Sequence, residues 1–401
     1  MNLWNDYQCI PLPQLLLFIV DNRGKTVPLS DEGTYKLIAT NCIRNERLYP
    51  SYEKVRFLSE STYQTWFRSH PIPGDILFVC KGTPGRCCMV PDPIDFCIAQ
   101  DMIALRTNPS IIYNRYLLVV LRSREIQKQI TNTSVGDVIP HFKKQFLDQL
   151  LIPVPPLDIQ RRIGDFYFSL AAKEEINRTI NDNLEQQAAA YYYRLFVENA
   201  STEWREGTIS DLGTVVGGST PSKAKPEYYT DHGIAWITPK DLSLNKSKFI
   251  SHGENDITEL GLKNSSAVIM PEGTVLFSSR APIGYIAIAA DQVCTNQGFK
   301  SVVPASNIGT AFVYYFLKFN LPTIEGMASG STFKEISGST MKSVPAFIPD
   351  DASLAQFDDF CRPVFDQQRT LEAQNQYLSS LRDTLLPKLM SGEIDVSEIK
   401  I

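Results

Sequence analysis

Four histidines and eight cysteines are the residues of this 401-residue chain best suited to hold a metal or attack a substrate. Their spacing argues against both roles. Cys87 and Cys88 are adjacent, while Cys9, Cys42, Cys80, Cys97, Cys294 and Cys361 are scattered without C-x2-C pairs. No zinc site is therefore predicted, and reduced, mostly buried thiols are expected. His70, His141, His232 and His252 fall in no nucleophile motif. No phosphate-binding G-x-x-x-x-G-K-S/T loop occurs, and Gly217-Gly-Ser-Thr-Pro-Ser-Lys223 is not one. G-x-G-x-x-G, H-E-x-x-H and the Asn/Asp-Pro-Pro-aromatic sequence that holds a target amine for methylation are also missing. The chain is expected to be non-catalytic, with no metal or cofactor of its own.

What remains are cations, amides and hydroxyls, the groups that bind phosphate and read base edges. Ser219, Thr220, Ser222 and Lys223 form a Gly-rich turn that either holds a phosphate or is a plain surface loop. Lys240 follows Trp236 and Thr238; Trp236 itself reads as core. Ser278, Ser279 and Arg280 leave a β-run at a turn, and Lys81 is the matching cation earlier in the chain. Asn296 and Gln297 suit adenine, yet the recurrence of Gln100 and Gln297 favours a structural role. Ser331 and Lys334 follow Gly330 in a loop that can contact phosphate. Arg44, Arg47, Lys54, Arg56 and Arg86 occupy turn-rich stretches of the first half.

The net charge of -5 looks wrong for a DNA binder. Its distribution matters more: basic residues outnumber acidic ones in residues 1–156, and the excess acid lies further along, heaviest in residues 351–401. A local basic face is permitted. The apolar start, MNLWNDYQCIPLPQLLLFIV, is short, interrupted by proline and preceded by no basic segment. It reads as neither signal peptide nor membrane span, so a cytoplasmic location is expected.

The elements that must position these groups occur twice. Gly74-Asp-Ile-Leu-Phe-Val-Cys-Lys-Gly-Thr-Pro-Gly85 answers Gly273-Thr-Val-Leu-Phe-Ser-Ser-Arg-Ala-Pro-Ile-Gly284 at an offset of 199. Cys97-Ile-Ala-Gln100 answers Cys294-Thr-Asn-Gln297 at 197, Ile152-Pro153…Gln160 answers Ile348-Pro349…Gln356 at 196, and Asn181-x-x-Leu184 answers Asn375-x-x-Leu378 at 194. Each copy begins with a stretch rich in β-branched and aromatic residues. A Pro-bounded junction follows, then a helix expected to lack internal proline, of about 40 residues in the first copy and slightly fewer in the second.

A 3.5-residue period supports coiled-coil packing of the two helices against each other. The predicted seam of the first is Ile159, Ile163, Phe166, Leu170, Lys173, Asn177, Ile180, Leu184, Gln187 and Tyr191. That of the second is Leu354, Phe357, Cys361, Val364, Gln368, Leu371, Asn375, Leu378, Arg382 and Leu385. Asn177, Asn375, Gln368 and Arg382 either fix the register or lie on a solvated flank, and Gly392 reads as the residue just past the second helix. A helix of about 40 residues spans about 60 Å. The fold class predicted is α+β: two globular domains of mixed α/β structure, joined by two long antiparallel coiled-coil helices, with a pseudo-two-fold internal repeat. The expected divisions are 1–153, a central helix 154–202, 203–350, a C-terminal helix 351–391, and a tail 392–401.

Several motifs occur together in order: Gly217-Gly-Ser-Thr-Pro-Ser222, Gly233-Ile-Ala-Trp-Ile-Thr-Pro-Lys-Asp-Leu242, Pro271-Glu-Gly-Thr-Val-Leu-Phe-Ser-Ser-Arg280, Thr295-Asn-Gln297, Ile152-Pro-Val-Pro-Pro-Leu-Asp-Ile-Gln-Arg-Arg-Ile163 and Leu381-Arg-Asp-Thr-Leu-Leu-Pro-Lys-Leu-Met-Ser-Gly392. With them the chain resembles, over almost its whole length, the DNA-specificity (S) subunit of type I restriction–modification systems. The first globule matches less well, since Leu37-Ile-Ala-Thr-Asn-Cys-Ile43 stands opposite Trp236-Ile-Thr-Pro-Lys-Asp-Leu242 and Asp21-Asn-Arg-Gly-Lys25 is a loose counterpart of the Gly-rich turn.

The resemblance implies two target-recognition domains (1–153 and 203–350) on double-stranded DNA, one per half-site, with the paired helices setting the spacer. It further implies two methyltransferase subunits docked on the helices and restriction subunits in a full prokaryotic complex. S-adenosylmethionine, ATP and Mg would then belong to those partners, with none on this chain. A methyltransferase–nuclease without recognisable motifs, or a coiled-coil adaptor that binds no nucleic acid, are the alternatives.

Overall fold

A computed structural model describes all residues except 1, 2, 23, 25, 32, 54, 134–139, 331–333 and 396–401. Two compact units emerge: Met1–Asn177 together with Gln374–Ile401, and Arg178–Ala373. Each contains one globule and one stretch from each long helix. Among the described residues, no helix is long and apolar enough to cross a membrane, no His/Cys/Asp/Glu group is placed to hold a metal, and no disulfide joins any cysteines.

In the first unit a four-stranded antiparallel sheet has the order Leu16–Val20, Met102–Thr107, Ile76–Val79, Cys87–Met89. Its strand Ile76–Val79 is buried at every position. Ile76 and Phe78 face a cluster with Tyr116, Leu117 and Phe142, whereas Leu77 and Val79 face one with Ile38, Cys88 and Val90. A strand covered on both faces favours apolar residues at successive positions, and any polar side chain there needs a hydrogen-bond partner. That is why the repeat motif reads as an unbroken hydrophobic run. A second sheet pairs Tyr35–Ile38 antiparallel to Arg56–Leu58 and parallel to Phe96–Ile98, with Leu37 opposite Cys97. Cys9–Pro11 closes against Leu151–Pro153.

The second unit repeats this plan. Gly213–Gly217, Lys300–Pro304, Val275–Ser279, Ile283–Ala289 and Phe249–Ile250 form its larger sheet. Val275 and Phe277 pack with Phe312, Tyr315 and Phe357, while Leu276 packs with Ile237 and Phe299. Ile234–Ile237 lies antiparallel to Asn255–Ile257 and parallel to Cys294–Thr295, with Trp236 opposite Cys294. Leu37 and Trp236 thus occupy one topological position. Arg205–Thr208 closes against Pro345–Ile348.

The central helix spans Leu157–Tyr193 and continues as a π-helical turn, Arg194–Glu198; the C-terminal helix spans Asp351–Ser391. The second is therefore the longer, 41 residues against 37. It also contains Pro363 and Pro387, contrary to the expectation of a proline-free helix. Both prolines are exposed, so the carbonyls they leave without a helical donor face solvent, which lets the helix continue. Gly392 follows with φ +77°, a left-handed residue closing the helix as its position predicted.

The seam expected for the C-terminal helix matches the structure: Leu354, Phe357, Cys361, Val364, Gln368, Leu371 and Arg382 are buried, and Asn375, Leu378 and Leu385 are half-buried. The seam expected for the central helix needs correction. Lys173, Ile180 and Gln187 are exposed, while Gln160, Ile163, Tyr167, Ala171, Glu174, Asn177, Ala188 and Tyr192 are buried. That stripe keeps the expected spacing and shares Ile163 and Asn177 with the expected seam, but along most of the helix it sits one residue further on.

The buried polar residues explain themselves locally. In the first unit Arg382 pairs with Glu174 at 3.1 Å, and Asn177 Nδ2 donates to Asn375 Oδ1 at 3.0 Å. In the second, Gln368 Nε2 donates to the Asn181 carbonyl at 3.2 Å. Rising numbers on one helix meet falling numbers on the other, so the stretches in each unit run antiparallel.

Candidate nucleic-acid interface

In the second unit, the Gly-rich turn is seated on the segment that carries Asn296 and Gln297. Ser219 N–H donates to the Thr295 carbonyl at 2.9 Å, and the Trp236 indole N–H donates to the Ser219 carbonyl at 2.9 Å. Trp236 is 5% exposed and packs with Ile257 and Cys294, so it is core with its one donor satisfied. The approach leaves no space at Gly218, where a Cβ would lie 1.9 Å from the Asn296 carbonyl oxygen. Thr220 and Gln297 are then brought together by a side-chain hydrogen bond, and Asn296 Oδ1 accepts from Gly298 N at 2.8 Å. Gln297, Ser222 and Lys223 stay exposed.

The cations are distributed around this platform. Lys240 is exposed and pairs with Glu254 at 2.5 Å, which raises its pKa through that hydrogen bond. Arg280 leaves the buried strand and faces Glu335 at 3.5 Å. Lys300 Nζ lies 3.9 Å from the same carboxylate and 3.4 Å from the Gln297 carbonyl oxygen. Burial pushes the Lys300 ammonium down, with Glu335 opposing that effect and Arg280 adding to it. Lys334 is exposed; Ser331 lies outside the described residues.

Ser278 and Ser279 are not at this surface. Both are fully buried: Ser278 Oγ donates to the Pro282 carbonyl at 2.8 Å, and Ser279 Oγ to the Gly298 carbonyl at 3.1 Å. The β-run that suggested them ends one residue later, at Arg280.

In the first unit Lys81 and Arg86 are exposed, and Lys81 forms an antiparallel bridge with His141. Arg44 pairs with Glu53 at 2.5 Å, both partly exposed. Arg56 is exposed on its strand, and Lys54, Arg23 and Lys25 lie outside the described residues. Arg47 is engaged by the central helix, its Nε donating to Glu175 at 2.8 Å. Gln100, with φ +60°, is half-buried, so its repetition in Gln297 is not accompanied by equal exposure.

One repeated pair escaped sequence reading. Glu175 accepts the Leu48 backbone N–H at 2.9 Å, and Glu372, at the equivalent place on the C-terminal helix, accepts those of Lys248 and Phe249 at 2.8 and 3.1 Å. Each globule thus hangs from a helical carboxylate in its own unit. Lys248 is 7% exposed and is held by Glu185, by Gln368 at 2.7 Å and over the Phe365 ring at 4.3 Å. Burial lowers its pKa, against the pull of Glu185. The only sequence signal for the clamp was a Glu recurring at an offset of 197, close to the other matches. By contrast, Gln160 is buried and accepts from Tyr113 N at 2.7 Å, whereas its partner in the repeat, Gln356, is exposed.

Residues 18–186 and 201–381 each match the family described as the type I restriction modification DNA specificity domain. The MjaIX specificity subunit of Methanocaldococcus jannaschii is 41% identical over 179 residues, which span 42% of this chain and 41% of that subunit. The HindI specificity subunit of Haemophilus influenzae is 23% identical over 80% of this chain and 86% of its own. The fold is shared with the crystal structure of a type I restriction–modification S subunit from M. genitalium, with a TM-score of 0.61 and 15% identity over 96% of each chain. With both copies of its repeat matched, the chain belongs to the family of type I restriction–modification DNA-specificity subunits.

Proposed function

We propose that this chain selects the DNA target of a type I restriction–modification complex, each globule reading one half of a bipartite duplex sequence. The observation that carries this reading is the contrast inside the repeat. The framework is held twice, down to the equivalent Leu37–Cys97 and Trp236–Cys294 pairs, while the exposed groups around it differ. Two different half-sites require that combination: phosphate contacts and scaffold position a reader, and side chains at the base edges specify.

On this reading Thr220, Ser222, Lys223, Lys240, Asn296, Gln297, Arg280 and Lys334 in the second unit contact DNA, as do Lys81, Arg44 and Arg86 in the first. The chain is non-catalytic and works in the cytoplasm. Two methyltransferase subunits dock along the helices, and S-adenosylmethionine, ATP and Mg are bound by the partner subunits.

Methylation-aware sequencing of DNA from cells that carry this chain with its modification subunit tests the reading. A split motif with methyl-adenine in each half is expected. Replacing residues 203–349 by those of another family member should then change one half only; a change in both halves, or in neither, would refute the modular assignment.

A further inference from the structure

Glu335 is a carboxylate at a backbone position that carries a different side chain in the first unit. Its backbone is fixed on both sides: Glu335 N donates to the Ser329 carbonyl at 2.9 Å, Ser329 N returns the bond at 3.1 Å, and Ile336 N donates to the Ser279 carbonyl at 3.0 Å. An antiparallel bridge places Glu335 directly opposite Arg280. Its carboxylate is thereby held between two cations, Arg280 at 3.5 Å and Lys300 at 3.9 Å. Lys300 in turn borders Gln297, which is bonded to Thr220 of the Gly-rich turn. A carboxylate therefore occupies the cationic corner of the proposed reading surface.

Both contacts exceed the ~2.7–2.9 Å of a strong charge-assisted hydrogen bond, and the Glu335 side chain is 40% exposed. An anion with better geometry can displace it. The first unit serves as an internal control. There Phe142 N donates to the Cys80 carbonyl at 2.7 Å as Ile336 N does to Ser279, and the residue bridged to Lys81 is His141. The same backbone position thus carries a carboxylate in one unit and an imidazole in the other.

We propose that Glu335 is an intramolecular stand-in for a DNA phosphate: it occupies Arg280 and Lys300 in the free chain and gives them up to a backbone phosphate when duplex binds. This rests on the DNA-reading function proposed above. Glu335 weakens attachment to every duplex by a common factor and leaves the choice of bases to its neighbours. At the equivalent bridge of the first unit, Lys81 faces His141 in place of a carboxylate.

The test is a salt titration of duplex binding by the full chain, using a duplex with the methylated motif and an unrelated duplex of equal length. In the wild-type chain the displaced carboxylate regains counterions as the phosphate loses its own, so Glu335→Gln, which removes that offset, steepens the slope of log K against log salt by up to about 0.9. Between 1 M and 0.15 M salt that is about a fivefold gain in affinity, on both duplexes alike. The methylated motif should not change.

The reciprocal variant His141→Glu puts a carboxylate opposite Lys81 and should weaken binding to both duplexes with a shallower slope. Combining Glu335→Gln with Arg280→Gln should abolish most of the gain. Equal or weaker binding by a folded Glu335→Gln chain with an unchanged slope overturns the proposal. So does a gain confined to one duplex. If Glu335→Gln fails to fold, His141→Glu decides alone: undiminished binding with the wild-type slope overturns the proposal. If the wild-type chain binds neither duplex, the DNA-reading function falls, and this proposal with it.

Discussion

The two units solve one problem with the same backbone and different side chains. Each suspends a globule from a helical glutamate: Glu175 holds Leu48 N–H, and Glu372 holds those of Lys248 and Phe249. Each drives a doubly buried strand through its core, with a cation, Lys81 or Arg280, within two residues of its end. Around that frame the chemistry diverges. The first unit seals its helix stretches with the buried Glu174–Arg382 pair, the second with the aromatic contacts of Tyr192, Phe196 and Phe357. Backbone hydrogen bonding is indifferent to side-chain identity, so a duplicated frame persists while packing and surface drift.

The largest effects should come from the two seams. Glu174→Ala removes the buried carboxylate from Arg382 and leaves it the exposed Asp383 at 2.9 Å, which should cost about 3 kcal/mol in a urea melt; Phe357→Ala in the second unit should cost about 3–5 kcal/mol by opening a cavity. The two seams differ in what rescues them. Glu174→Leu with Arg382→Met should recover most of the loss, because a buried ion pair is replaceable by apolar side chains of similar volume. Failure of that rescue would mean that the pair does more than close the seam.

The clamps give a smaller effect and a sharper comparison. Glu372→Ala leaves two backbone N–H groups without their acceptor and should cost about 1–3 kcal/mol. Amide exchange should accelerate at Lys248 and Phe249 while Leu48 stays protected, and Glu175→Ala should do the reverse. Loss of protection at both places from either variant would show that the units are not independently clamped.

The smallest effect is at the start of the C-terminal helix. Asp350 is held down to about 2 by the Ser353 backbone N–H, the Ser353 hydroxyl and the Trp204 indole. A carboxylate with a depressed folded pKa adds stability that is present above its ordinary value of 3.8 and is lost as pH falls through about 2. Exchange at the Ser353 amide should therefore accelerate over that window. Asp350→Asn should flatten the dependence, and an unchanged profile in that variant would assign it to another group.

Legibility followed the kind of signal each element carries. The C-terminal helix was read in phase because its seam residues Leu354, Phe357, Cys361, Val364 and Leu371 are apolar. The central helix was read out of phase for the opposite reason. Its buried stripe runs through Ala171, Glu174, Asn177 and Ala188, while Ile176 and Ile180 are 54% and 37% exposed. Hydrophobicity points the wrong way when small and charged residues fill a seam and isoleucines lie outside it. Ser279 failed similarly: a hydroxyl at the end of a β-run looks like a surface group until the neighbouring Gly298 carbonyl is seen to accept it.

By itself the sequence determined the duplication, the lack of a recognisable catalytic motif, the two long helices and the family, because these depend on ordered local patterns that survive along the chain. Which Glu clamps a globule, that Gly218 has no room for a Cβ, and that Glu335 stands between Arg280 and Lys300 were decided only by tertiary structure. Lys300 and Glu335 are 35 residues apart and Leu48 and Glu175 are 127 apart. No periodicity encodes such meetings; they exist only once buried strands and helix seams have folded distant segments onto one surface.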